Sequence, residues 1–393
     1  MGHEAGTTTS PPSTETEREP RVLDEAGIDL LIRALRDEGY EVVGPTLRDG
    51  AIVYDTLTSS RDLPRGVTDD QQPGRYRLGA ERGGAWFGYS VGPQSWKRFL
   101  HPPTLTLWRA RRDATGVEIE AATPPPSRYA LFGARACELS AIAVQDRVLT
   151  GGPAVDEGYK ARRDGLFVVA VQCGRAGGTC FCASMGTGPE VRSGFDLALT
   201  EILEGGHRFL LETGSEPGVR VARALPSRPA TPGDVAAGRA AIANAERQMG
   251  RSLDTAGLKE LLYSRYDSPH WDEVGARCLA CANCTLVCPT CFCVSFEDVL
   301  DLTGAESERR RRWDSCFTMS FSYIHGGSLR TSAGARYRQW LTHKLATWHD
   351  QFGSSGCVGC GRCITWCPVG IDITQEAAAL RGEPAKGEEG HGD

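Results

Sequence analysis

At 393 residues and a formal charge of −6, the chain is long enough for two domains and lacks the basic excess that nucleic acid would require. Fifteen cysteines, an odd number gathered largely into C-x2-C runs, argue against a disulfide framework and for thiolates on metal. No eighteen consecutive apolar residues occur, and the first twenty residues hold no apolar stretch fit for a secretory leader. A cytoplasmic chain without a membrane span is therefore expected.

Residues 1–20, rich in Thr, Ser, Pro and Glu, are expected to form a disordered tail. Ile28, Leu31, Ile32 and Leu35 then recur at helical spacing before Gly39. Between Gly39 and Thr123 short apolar runs alternate with Gly, Pro and charged turns, the pattern of small β-structure. Residues 128–132 predict a strand, followed by a helix carrying Leu139, Ile142, Ala143 and Val144. A second strand, over 166–172, reads as buried on both faces and ends at Cys173. Strand, helix and strand at this spacing predict a parallel βαβ unit.

The turn-rich stretch 217–233 is expected to be an exposed connection. From Asp234 helix should dominate: an Ala-rich helix at 235–249, then Leu253, Leu258, Leu261 and Leu262, and later Trp340, Leu341, Leu345, Trp348 and Phe352 on one helical face. The predicted fold class is α+β. An N-terminal α/β-containing domain spans 21–233, a mainly helical ferredoxin-like domain with two [4Fe-4S] clusters spans 234–382, and a flexible charged tail spans 383–393.

Two runs carry the strongest signal. Cys278, Cys281, Cys284 and Cys288-Pro289 share one spacing, C-x2-C-x2-C-x3-C-P, with Cys357, Cys360, Cys363 and Cys367-Pro368. Bacterial two-cluster ferredoxins use this spacing, with the fourth cysteine of each run ligating the other cluster. That exchange would place Cys278, Cys281, Cys284 and Cys367 on one cubane and Cys357, Cys360, Cys363 and Cys288 on the second. Structural zinc, the competing reading, is usually held by two separated cysteine pairs and not by a tight triplet plus one. Leu286, Val287, Ile364 and Trp366 are expected to shield the sulfurs.

Cys137, Cys173, Cys180 and Cys182 supply ligands for a third cluster. Cys137 opens the helix after one predicted strand and Cys173 follows the next, so both fall at the carboxyl ends of parallel strands, where such sheets bind ligands. Free buried thiols, zinc or a disulfide are the alternatives. Glu138 and Asp146 on that helix are expected to cap and solvate. Cys291, Cys293 and Cys316 are extra thiols: small buried hydrophobes, further ligands or redox-active groups. The basic run Arg309–Arg312, with Arg330, Arg336, Arg338, Lys344 and Arg362, is either a solvated face or an offset for cluster charge. His325, His343 and His349 lie among aromatic and basic residues and suit packing as well as proton transfer. No G-x-G-x-x-G follows a strand, so no flavin or nicotinamide site is expected on this chain alone, and no catalytic residues are assigned.

The stretches ARACELSAI, VQCGRAGGTCFC, ARCLACANCTLVCPTCFC, RRRRWDSCF and GCVGCGRCITWCPVGIDI resemble the beta, iron–sulfur subunit of cytoplasmic NAD(P)-linked nickel–iron hydrogenases (sulfhydrogenases). They are also similar to the A-type subunit of anaerobic sulfite reductase. The resemblance covers roughly 128–380. It implies a non-catalytic electron-transfer subunit that links the small and large subunits of a nickel–iron hydrogenase to a flavin, NAD(P)-binding subunit. In the sulfite-reductase alternative the partner carries sirohaem. A cluster-stabilised assembly scaffold is the reading from a different class.

Overall fold

Strands that are apolar on both faces need cover on both sides, and the two predicted ones obtain it at the centre of a large sheet. The computed structural model describes residues 19–81, 83–122 and 128–382. The tails expected at 1–20 and 383–393 lie outside these residues, apart from Glu19 and Pro20. The sheet has eight strands in the order Arg228–Pro229, Arg21–Leu23, Arg208–Thr213, Leu197–Ile202, Phe167–Val171, Tyr129–Ala134, Glu41–Arg48 and Ala51–Thr56. The four from Leu197–Ile202 to Glu41–Arg48 run parallel, and the flanking pairs are antiparallel. The helix Ala136–Leu149 links two of the parallel strands, which is the predicted βαβ unit.

Alternation along the strands splits the core in two. Ala130, Phe132, Phe167 and Val169 face the helix Glu25–Asp37 through Ile28, Leu31 and Leu35. Leu131, Val168 and Ala170 face Leu139, Ile142, Tyr159 and Trp96 on the other side. The stretch expected to be an exposed connection holds the helix Glu216–Arg223, capped by Ser215, and an edge strand at Arg228–Pro229. The Ala-rich helix Pro232–Arg247 lies against strands Leu197–Ile202 and Arg208–Thr213.

The C-terminal region is mixed, not mainly helical as expected. Strands Val294–Leu300 and Glu306–Trp313 form a hairpin that joins Thr104–Asp113 and Gly116–Ala121 in a four-stranded sheet. Val294, Phe296 and Val299 suit a strand, and pairing with Glu306–Trp313 across a turn through Gly304 fixes it as one. The arginine run forms one of these strands. Each of its members meets a carboxylate, Arg309 on Asp298, Arg310 on Glu308, Arg311 on Asp156 and Arg312 on Glu297. The run is thus neutralised where it stands.

The long aromatic helix is also interrupted. Ala333–Thr342 passes into a π-helical turn at His343–Thr347 before Trp348–Phe352. Single π turns of this kind concentrate at functional sites.

Candidate metal centres

The two C-x2-C-x2-C loops repeat one backbone conformation. Ala280 and Ala282 in the first, and Gly359 and Gly361 in the second, have φ of 49°, 67°, 63° and 75°. Each loop then enters a one-turn helix, Asn283–Leu286 or Arg362–Thr365. The N–H of Ala280 donates to Cys278 Sγ and that of Gly359 to Cys357 Sγ, both at 3.4 Å, so backbone donors point at sulfur. The Ile371 N–H does the same for Cys367 Sγ at 3.3 Å.

The fourth cysteine of each run stands with the other run. Cys367 faces Cys278 and Cys284, with Cys281 beside them. Cys288 faces Cys357, Cys360 and Cys363. Cys278, Cys281, Cys284, Cys363 and Cys367 line one narrow pocket together with Tyr337 and Trp340. Burial pushes the thiols of Cys284 and Cys363 well above their usual range, and that of Cys357 up to about 12. Tyr337 Oη and Trp340 Nε1 are buried and find no hydrogen-bond partner among the described residues. Buried donors without acceptors, around thiols that resist ionising alone, fit a group that takes thiolates and presents sulfide acceptors. Of the residues expected to shield the sulfurs, Ile364 is fully buried and Trp366 packs on Tyr76, whereas Leu286 is exposed.

A third set of thiols gathers beside the second loop. Cys182 faces Cys173, Cys180 and Cys360, and Cys137 faces Cys182 and Cys360. Burial raises all four, Cys180 to about 12. The segment carrying Cys180 and Cys182 is docked on the second loop by the Phe181 N–H, which donates to Gly359 O at 2.9 Å, and by the Thr187 hydroxyl, which donates to Val358 O at 2.7 Å. This docking explains the glycines there. A Cβ on Gly359 would stand 2.7 Å from the Cys182 backbone, and one on Gly361 2.4 Å from Thr179 O. The first loop carries alanine at both positions.

Glu138 does more than cap and solvate. It does accept the Arg135 N–H at 3.1 Å, but it is 1 % exposed and meets Arg362 Nη2 at 2.5 Å. Arg362, expected on a solvated face or as an offset for cluster charge, is 0 % exposed and also donates to Gly92 O and Gln94 O. Its Nη1 has no partner among the described residues, and the guanidinium faces Cys360 and Cys137. Arg135 supplies a second buried cation beside Cys173. Asp146, expected to cap and solvate, instead ties its helix to Glu157–Asp164 by accepting from Tyr159 Oη and Arg163. Sequence reasoning had no signal for the Glu138–Arg362 contact beyond both residues adjoining motif cysteines.

Two of the extra thiols, Cys293 and Cys316, stand beside each other, and Cys291 stands beside the motif cysteine Cys288. Hydrogen bonding from Cys316, with help from Lys344 and Lys97, draws Cys293 down to about 7. Lys344, on the π turn, donates to Cys288 Sγ at 3.1 Å and to Thr290 Oγ1 at 2.9 Å. Burial opposes its charge, but Cys288 and Cys291 hold it well above the usual lysine range. His343 beside it is pulled down to about 4 by burial and is neutral near neutral pH.

These loops define an iron–sulfur protein of the dicluster type, and a family description, the 4Fe-4S dicluster domain, matches residues 277–371. Sulfhydrogenase 2 subunit beta of Pyrococcus furiosus is 31% identical over 292 residues, which cover 70% of this chain and 79% of that protein. The chain belongs to this hydrogenase beta-subunit family. No solved structure matches. Among the described residues no helix is long and apolar enough to cross a membrane.

Proposed function

We propose that the chain is the electron-transfer subunit of a cytoplasmic hydrogenase complex. It would link the small and large subunits of a nickel–iron hydrogenase to a flavin, NAD(P)-binding subunit. Cys278, Cys281, Cys284 and Cys367 hold one cubane, Cys357, Cys360, Cys363 and Cys288 a second, and Cys137, Cys173, Cys180 and Cys182 a third. Exchange of single electrons is the chemistry such cubanes supply. The chain's own residues set distance, exclude water and offset charge. Lys344, Arg362 and Arg135 put cations beside the thiols of the second and third sets, which favours reduced, more negative states.

The observation that carries the reading is the continuous line of thiols. The third set shares the neighbourhood of Cys360 with the second, and the second shares Cys363 and Cys284 with the first. The first opens to the surface, where Cys281, Leu279 and Val369 are exposed. A scaffold stabilised by clusters has no need of such continuity, and the named relative favours a hydrogenase setting over the sulfite-reductase one.

Anaerobic purification with iron counted per chain tests the assignment. Three cubanes require about twelve iron atoms. Cys284→Ser should lose about one cluster and slow transfer between the partners. Full iron content and unchanged transfer in that variant would refute the ligand set.

A further inference from the structure

Twelve thiols in three cubanes leave Cys291, Cys293 and Cys316. Cys293 immediately precedes the strand Val294–Leu300, and Cys316 follows the end of the paired strand Glu306–Trp313. The ladder closes with Val294 opposite Trp313, and the Asp314 N–H donates to Cys293 O at 2.8 Å. That bond clips the two ends of the hairpin together. It places Cys316 beside the Cys293 sulfur.

Both side chains are half-buried, so small reagents can approach, while the hairpin root fixes their spacing. Two buried lysines face the same sulfur. Lys97 sits 3.9 Å over the Trp313 ring and donates to Cys291 O at 3.1 Å, and Lys344 reaches Cys288 and Thr290. Among the described residues neither lysine has a carboxylate partner within ion-pair distance. Cations beside a cysteine favour its thiolate, the attacking form in disulfide exchange.

We propose that Cys293 and Cys316 form a reversible dithiol–disulfide couple, a redox-modification site whose oxidant is a small-molecule disulfide. The Cys293 thiolate attacks one sulfur of R–S–S–R, whose S–S bond breaks to release R–S⁻ and leave a mixed disulfide. Cys316 gives up its proton and attacks the Cys293 sulfur, expelling the second R–S⁻, and both leaving thiolates take up protons. Two protein thiols lose two electrons in total, and one external disulfide becomes two thiols. The new bond removes negative charge facing Lys97 and Lys344 and leaves Lys344 facing Cys288 and Cys291. This last effect on electron transfer rests on the ligand assignment above, whereas the disulfide itself does not.

The test uses the iron-loaded protein, purified without air and exposed to oxidised glutathione, then alkylated, digested and mapped by mass spectrometry. The expected result is a peptide joining Cys293 to Cys316, reversed by dithiothreitol, with iron per chain unchanged. Cys293→Ser and Cys316→Ser should each abolish the cross-link, keep the full iron content and leave the remaining thiol as a glutathione adduct. Separate alkylation of both thiols after oxidation would overturn the proposal. So would loss of iron in either variant, which would make these thiols cluster ligands. Mapping of the unsubstituted protein decides the matter even if a variant does not fold, and iron counts below twelve with the cross-link intact would fault only the ligand assignment.

Discussion

Arg362 has no exposed surface, and Glu138 is the carboxylate that meets its charge. Removing one partner of such a pair strands the other in a dry interior, at a cost of about 3–5 kcal/mol. Glu138→Ala should therefore lower stability by about that amount in denaturant titrations, and Glu138→Gln by less, because the amide still accepts from Tyr54 Oη or Trp96 Nε1. Lys344 is the corresponding residue at Cys288. Lys344→Met withdraws a positive charge from one side of the second thiol set and should shift the potential of its cluster downward, read in an EPR-monitored redox titration. The motif cysteines were legible because their chemistry is written in local spacing. Glu138 and Arg362 were not, because 224 residues separate them and each alone resembles an ordinary surface charge.

The duplicated loops allow a comparison of elements that share a conformation and differ in surroundings. An L-residue in the left-handed region costs roughly 1–2 kcal/mol, so Ala282→Gly should be neutral or mildly stabilising. Gly361→Ala, blocked by Thr179 O, should push away the segment that carries Cys180 and Cys182. The expected readout is iron lost selectively from the third set while the EPR signals of the other two persist.

A separate element is tied by His207, whose Nε2 meets Glu201 Oε1 at 2.7 Å while Glu201 accepts the N–H groups of Trp86 and Phe87. The Glu201 hydrogen bond, opposed by burial, raises the His207 pKa. The bond's stabilisation is therefore complete below the usual histidine value of about 6.5 and fades as pH rises through the higher folded value. His207→Gln should lower the thermal midpoint more in mild acid than above neutrality. At this scale the βαβ unit followed from two apolar runs and a helix between them. The hairpin at 294–313 was missed because its apolar residues do not alternate and its pairing is a tertiary feature, while helical patterns flank it. The π turn has no sequence signature that periodicity could reveal.

In the molecule as a whole, the three thiol sets form a line whose outer end is rimmed by Leu279 and Val369, 64% and 42% exposed. Exposed apolar groups beside a surface-near redox centre suit a partner that must approach closely and leave again. Leu279→Glu should slow electron exchange with a partner subunit several-fold at unchanged iron content, measured by stopped-flow reduction. The two halves are also woven together. The strand Glu306–Trp313 pairs with Thr104–Asp113, and the second cluster loop rests on the segment through Cys182. The sequence suggested a boundary at 233/234 because cysteine motifs and helices cluster late in the chain, and it holds no trace of cross-strand partners so far apart.

The buried pair also orders events during synthesis. The ribosome makes Glu138 long before Arg362, so the earlier half emerges with an anionic gap beside Cys137 that stays open until nearly the whole polypeptide has been made. On the three-cluster assignment proposed above, loading of the set that holds Cys137 would fall late in maturation, after the carboxyl-terminal guanidinium has been made.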